Sequence, residues 1–442
     1  MAALSGMVAV QACSAGVVGR ALAGENLDRV LEEIQAAPTN LGPNERAAVH
    51  SIAFDTLRHY GLLSAQLDTL LTQPVKDIAV RHLLLVALAQ LQFSKAAAHA
   101  IVDHAVSAAE QMGYGRAKSL VNAILRNFLR SPEKFCRERY KLEVARYDFP
   151  RWWIKRMKLE YSNRWEQVML SARDRPPMWL RVNQRRNNAA GYMERLTEGN
   201  MQAELHSDHA IRLEKPVPVH DLPGFREGLV SVQDLGAQQS AILLGAENGM
   251  RVLDACAAPG SKTCHLLERA DLDLLALDVD ARRLSRVADN LARLGLKAHL
   301  KAADATKPAD WWDGKAFDRI LLDVPCSGSG VVRRHPDIKW GRRETDLARF
   351  AQQQAQLLDA LWNCLGNGGR LLYATCSVFS VENTGIVEQF LRKTSNARAL
   401  ALPDFPLASV MANAGMPTSP GCQLLPNHAH DGFYYALLEK VE

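Results

Sequence analysis

Two cysteines stand where chemistry is easiest to build. In "LLDVPCSGSG" and in "LLYATCSV" a short apolar run ends and a thiol follows, Cys326 in the first and Cys376 in the second. A thiol is a soft nucleophile once its pKa falls from about 8.5 or a base takes its proton. Both would stand at the carboxyl end of a strand, the edge where open α/β sheets bind their ligands. Other functional groups collect at the same edge. "DACAAPGSKT" gives a tight turn of small residues, Cys256, Ala257, Ala258, Pro259, Gly260 and Ser261, followed by Lys262. Asp278, Asp304 and Asp323 end three further runs. Small side chains let a ligand approach the backbone, and amides at a helix start favour an acceptor or an anion. The glycine spacing is neither G-x-G-x-x-G nor a Walker loop, which speaks against a dinucleotide dehydrogenase. A carboxylate at 278, 24 residues after Asp254, suits the two hydroxyls of a ribose. With Asp304 for an adenine amino group, the set suggests S-adenosyl-L-methionine.

The remaining cysteines carry less. Buried cysteine is common as a small core residue. Cys13, Cys136, Cys264, Cys364 and Cys422 are read that way, and Cys256 lines the turn at most. Cys376 and Cys326 differ because neighbouring strands would bring both to one crevice. There is no C-x-x-C pair and no cysteine–histidine grouping at metal-ligand spacing, so no metal is expected. The opening segment lacks the early positive charge of a secretory signal, and reduced thiols in a cytoplasmic protein follow. The best apolar run, "LLLVALAQLQF" from Leu83, is cut by glutamines and too short to span a membrane. No membrane partner is expected, and nothing points beyond a monomer.

Strand ends need a sheet, and the sequence supplies one from Ser231 onward. "MRVLDACA", "DLLALDVD", "KAHLKAAD", "FDRILLDVP" and "GRLLYATC" alternate with helical segments, the pattern of a doubly wound parallel sheet. "DGFYYALLEK" would add a late edge strand. Residues 1–145 read as five or six helices, with breaks at "APTNLGPN", Pro74, Gly113 and Ser131-Pro132. Residues 146–230 read as a small mixed α+β domain with a basic helix, "RWWIKRMKLEYSNRWEQVMLSA". Trp153, Met157, Tyr161 and Trp165, four apart, read as that helix's buried stripe rather than as base-stacking platforms. Residues 231–442 form the catalytic domain.

Charge is unevenly spread. From Gly113 to Arg195 there are 20 Lys and Arg against 8 Asp and Glu, a surplus of +12. Of 53 and 48 in all, the rest of the chain keeps 33 against 40. Such a block is the footprint of a polyanion partner, although a solvated mixed-charge face gives the same count.

"DACAAPGSKT", "DVPCSGSGVVRRHPDIKW" and "YATCSV" resemble the signature motifs of the RNA cytosine-5 methyltransferases, in particular their bacterial Fmu/Sun branch. The likeness runs along the whole chain: "SVQDLGAQQSAILL" resembles the family's entry segment, and the helical N-terminal part is similar to the RNA-binding antitermination factor NusB. The resemblance implies a Rossmann-like doubly wound S-adenosylmethionine-dependent methyltransferase sheet, preceded by an all-α NusB-like domain and a small α+β domain. It implies methyl transfer to carbon 5 of a cytosine in 16S ribosomal RNA, and it makes the basic block an RNA-binding surface. Cys376 then matches the nucleophile for carbon 6, and Cys326 the second cysteine, linked to breaking the adduct. Asp323 matches the carboxyl group at the N3 edge. Cys256, Ala257, Ala258, Pro259, Gly260, Ser261 and Lys262, with Asp278, Asp304 and Asp323, match the cofactor-binding set. Ser261 stands where the family usually has glycine and Val324 where it usually has alanine; the second change is expected to narrow the pocket. "VVRRHPDIKWGRR" would contact phosphates beside the target base, with His335 structural. Two alternatives are carried: the same chemistry on transfer RNA or another RNA, and a non-catalytic RNA-binding or ribosome-assembly factor.

Overall fold

Apolar residues at helical spacing make the described elements from Met7 to Ser171 helices. The structure is a computed structural model and describes residues 6–37, 41–137, 141–402 and 415–442. It forms two compact units, Met1–Arg175 with Val332–Glu344, and Pro176–Val331 with Thr345–Glu442.

In the first unit the helices Met7–Leu22, Leu27–Ala36, Pro43–Arg58, Tyr60–Leu70, Ile78–Phe93, Ala98–Gln111 and Lys118–Arg130 share one core. Ile78–Phe93 is its axis, with Leu83 to Gln90 all buried. A helix apolar on every side belongs inside a core, and Gln90 is tolerated there because Gln11 Nε2 donates to its Oε1 at 2.6 Å. Among the described residues no helix is long and apolar enough to cross a membrane. The run from Pro43 to Leu70 breaks at His59, giving one helix more than the spacing suggests. The second piece starts on a borrowed cap: Asp148 Oδ1 accepts from Leu62 N at 2.8 Å. The basic helix is likewise two, Arg151–Glu160 and Trp165–Ser171. Trp153 and Met157 are buried, and Trp165 meets Tyr147 edge-on at 5.0 Å.

The stretch 332–344 packs into this unit and buries two of its five basic residues, Arg333 and Lys339, while Arg343 stays exposed. Lys339 is 0% exposed and donates from Nζ to Arg58 O at 2.8 Å. Trp340 Nε1 donates to Leu57 O at 2.8 Å, and Arg333 O accepts from the Arg58 guanidinium at 3.1 Å. His335 pairs with Asp28 at 3.1 Å. Burial pushes the Lys339 ammonium down to about 7, against the pull of Asp148. Lys339 and Arg333 are therefore interior groups. The Lys339 ammonium lies over the Phe149 ring at 5.0 Å and the Trp340 ring at 5.8 Å, contacts that a count of charges cannot see.

The second unit begins with a four-stranded antiparallel sheet of β1 (Met178–Val182), β2 (Ala203–Leu205), β3 (Ala210–Leu213) and β4 (Val230–Val232), in the order β2-β3-β1-β4. A nine-stranded sheet follows. Its parallel part comprises β5 (Arg251–Ala255), β6 (Asp273–Asp278), β7 (His299–Ala302), β8 (Phe317–Asp323) and β9 (Leu365–Thr375), in the order β7-β6-β5-β8-β9. Strands β10 (Ala397–Leu400), β11 (Gly415–Pro417), β12 (Cys422–Leu424) and β13 (Phe433–Lys440) complete it. Strand β13 runs antiparallel to β9 and is paired on its other side by β12 and β10, so it is interior and not an edge. Six consecutive buried residues, Phe433 to Leu438, carry that position. The order reverses between β5 and β8. At such a switch point two loops part in opposite directions and leave a crevice above the strand ends.

Candidate active site

Register delivers the functional groups. Ala255 pairs with Leu322, and Asp323 with Ala374, so the turn after β5, Asp323 and Thr375-Cys376 leave the sheet side by side. The loops after β8 and β9 are then stitched together. Val324 N donates to Ala374 O at 3.0 Å and Gly330 N to Cys376 O at 2.8 Å. Gly330 passes so near Gly432 that a Cβ would lie 2.2 Å from Gly432 O, so only glycine fits there. The result is that Cys326 Sγ and Cys376 Sγ are 3.3 Å apart. The hydrogen bond with Cys376 and burial together push the Cys326 thiol well above its ordinary range.

Lys262 forms an ion pair with Asp323 across the mouth of this loop pair. Burial works to strip the lysine of its proton, but the Asp323 carboxylate and the Cys376 sulfur outweigh it and raise its pKa. A fixed positive charge therefore faces the Cys376 side of the thiol pair.

The turn after β5 is held in a demanding conformation. Cys256 has φ 80, a left-handed value that costs a non-glycine residue about 1–2 kcal/mol. Its amide and that of Ala257 both donate to Leu277 O, at 3.0 and 2.7 Å, which over-determines the turn. Gly260 has φ 97, and a Cβ there would meet Val287 at 2.9 Å. Ser261 is already the first residue of the helix Ser261–Arg269, where a small side chain is tolerated, so the missing second glycine costs little. Arg181 of β1 braces this helix: it donates to Ser261 O at 2.8 Å and to both carboxylate oxygens of Glu268. Val324 is buried in the core cluster with Leu322 and Tyr373, so its extra bulk goes into packing.

The three carboxylates expected for the cofactor differ in surroundings. Asp278 is buried and accepts from Ala258 N at 3.2 Å and Asp280 N at 3.0 Å, which ties the ends of β5 and β6 together. Asp304 accepts from the Thr306 hydroxyl at 2.7 Å and from Thr306 N at 3.0 Å. The Thr306 hydroxyl is the main reason its pKa is lowered. Asp323 holds Lys262. The amides that open the helix Ser261–Arg269 lack intrahelical acceptors by construction, as the first turn of any helix does. This donor set fits a ligand carrying a ribose and a carboxylate tail. Among the described residues no group of His, Cys, Asp or Glu could hold a metal ion.

Asp254, at the end of β5, is 1% exposed, with only Oδ2 hydrogen-bonded, to the Thr263 hydroxyl at 2.6 Å. Burial pushes its carboxyl group up to about 7, against the pull of Thr263. A raised folded-state pKa means stability that is complete below the unfolded value and lost as pH rises through 7. Asp254→Asn should remove that loss. Its stabilising effect in denaturant titrations should be about 2 kcal/mol larger near about pH 8.5 than near about pH 5.5.

Sequence reasoning missed Glu382 and Gln354, which are buried beneath the two thiol loops. The available signal was a serine directly after each cysteine, Ser327 and Ser377.

Comparison with known proteins bears on this geometry. Residues 3–130 match the NusB family, residues 149–220 the ferredoxin-like domain of the RsmF/B-like methyltransferases, and residues 241–439 the family described as 16S rRNA methyltransferase RsmB/F. The ribosomal RNA small subunit methyltransferase B proteins of Salmonella agona and Salmonella typhi are each 41% identical over 434 residues, 95% of this chain and 98% of theirs. Among solved structures, PH0851 covers 99% of this chain and 100% of its own at TM-score 0.79 and 24% identity. NSun6 from Pyrococcus horikoshii, solved with SFG, covers 67% of this chain and 99% of its own at TM-score 0.60 and 20% identity. These two likenesses concern the fold.

Proposed function

The chain belongs to the RsmB/F family of 16S rRNA methyltransferases, and from that membership we propose that it methylates carbon 5 of a cytosine in 16S rRNA through a covalent bond to Cys376. The observation that carries this reading is the pair of thiols 3.3 Å apart at the switch-point edge of the sheet, beside Lys262 and Asp323. Carbon 5 of cytosine is a poor nucleophile. Addition of a sulfur to carbon 6 makes it electron-rich, and this is the work a strand-end thiol can do. Lys262 presents its positive charge to the Cys376 side of the thiol pair, where sulfur has to attack. As sulfur adds, negative charge grows toward N3, and the Lys262–Asp323 pair supplies a proton or a hydrogen bond there. S-adenosyl-L-methionine, when bound, supplies an electrophilic methyl group. Water at the open edge of the site takes the carbon 5 proton, the electrons of that C–H bond restore the ring double bond, and Cys376 leaves as the carbon–sulfur bond breaks. Cys326, protonated and in contact with Cys376, is placed to assist that departure.

Asp278, Asp304, Lys262 and the turn from Cys256 to Ser261 are the groups that would hold the cofactor. In the helical unit, a groove of about 670 Å³ bears Lys141, Arg151, Lys155 and Lys158, with Asp68 and Glu143 on its wall. Its net positive charge supports phosphate contact by this unit. The target cytosine has to leave its stack to reach a recessed thiol.

Bisulfite sequencing of RNA from a strain lacking the gene tests the reading. One protected cytosine in 16S rRNA should become reactive. Loss of protection in transfer RNA instead would overturn the substrate, and an unchanged pattern would overturn carbon 5 chemistry.

A further inference from the structure

Beneath the two thiols lies a carboxylate that the proposed reaction leaves without a role. Glu382, 0% exposed, accepts from Ser327 N at 2.8 Å on Oε1 and from the hydroxyls of Ser327 and Ser377 at 2.6 Å each on Oε2. Gln354 Nε2 reaches Oε1 at 3.3 Å and also donates to Pro325 O at 2.9 Å. Ser327 follows Cys326, and Ser377 follows Cys376.

We propose that Glu382 is a positioning residue for the two cysteines: one buried carboxylate ties the residue after each of them into a single frame and sets the separation of the thiols. The inference rests on the cysteine chemistry proposed above. Three considerations support it. The first is proton counting. A carboxylate only accepts, and the four groups named above all donate to it. A glutamine at 382 would set its amide protons against the Ser327 and Gln354 N–H groups if turned one way, and if turned the other would force both serine hydroxyls to accept where they now donate. The second is cost. A fully buried carboxylate is expensive to keep, and burial does raise the pKa of Glu382 against the pull of the two serine hydroxyls. Packing alone would be served more cheaply by an apolar side chain. The third is charge. Glu382 adds to the forces that keep the Cys326 thiol protonated, whereas Lys262 faces Cys376. The two fixed charges thus separate the roles of two chemically identical side chains.

The test uses the full-length protein with 16S rRNA and S-adenosyl-L-methionine. Glu382→Gln should lower kcat about 10²-fold, the effect of a misplaced nucleophile. The KM values for both substrates should stay within about twofold, because only a transition-state interaction has been lost. In a Cys326→Ala background, where the adduct accumulates, adduct formation should slow by the same factor. A kcat within about threefold of the parent overturns the proposal, as does a loss that appears only in KM. If Glu382→Gln does not fold, the Ser327→Ala/Ser377→Ala double variant decides. A fall in kcat of about tenfold or more with unchanged KM supports the proposal, and an unchanged kcat overturns it. Cys376→Ala run alongside separates the two levels: full activity there sinks the covalent reading itself, whatever Glu382 does.

Discussion

Cys376→Ala is expected to abolish methyl transfer, whereas Cys326→Ala should leave the enzyme joined to its RNA. The asymmetry follows from the site, since the two sulfurs are in contact and yet feel different charges. Lys262 faces the Cys376 side, while the Cys326 thiol is pushed well above its ordinary range by its bond to Cys376 and by burial. Without Cys376 no bond to carbon 6 forms, and carbon 5 stays too poor a nucleophile. The loss should reach about 10³-fold or more in kcat, because covalent activation accounts for most of the acceleration. Without Cys326 the attack proceeds, but the leaving Cys376 lacks its protonated neighbour. Breakdown should then become slower than formation. Denaturing gel electrophoresis with labelled 16S rRNA checks both outcomes: a shifted, methyl-bearing band for Cys326→Ala and none for Cys376→Ala or the double variant. A band with Cys376→Ala alone would reverse the assignment.

How much of this was readable beforehand varies along the chain. The strand ends were, because apolar runs that stop in Asp or Cys leave few other places for a buried parallel strand to end. The turn from Cys256 to Lys262 was readable for the same reason, small residues before a helical run. What escaped were groups whose partners are distant in sequence. Asp148 caps a helix that starts 88 residues earlier, at Tyr60. Glu382 reaches back 55 residues to Ser327. Neither pairing leaves a periodic trace. Within the segment after Cys326 the burial of Lys339 and Arg333 escaped for a different reason: lysine and arginine are ordinary surface residues, and only tertiary partners such as Phe149 and Arg58 make these two interior. Strand β13 was recognised, but its place was not, because β10, β11 and β12 are too short to show in a pattern of apolar runs.

Lys262→Met and Asp323→Asn form the second test with a large expected effect, and combining them separates stability from chemistry. Both side chains are largely shielded, and each balances the charge of the other. Removing one partner leaves the other charge recessed and unpaired, so each single variant should lose about 2 kcal/mol in denaturant titrations. The double variant removes both charges and should recover most of that loss. Activity should not follow. In the proposed reaction Lys262 faces the attacking Cys376, and the pair answers the charge that grows toward N3. Each single variant should therefore lose about 10²–10⁴-fold in kcat, the range for general acid–base groups, and the double variant should be no better than the worse single. Because the same residues are proposed to contact the cofactor, binding of S-adenosyl-L-methionine by titration calorimetry belongs in the comparison. A double variant that regained activity together with stability would reduce the pair to a structural clasp, leaving the two thiols without their electrostatic partner.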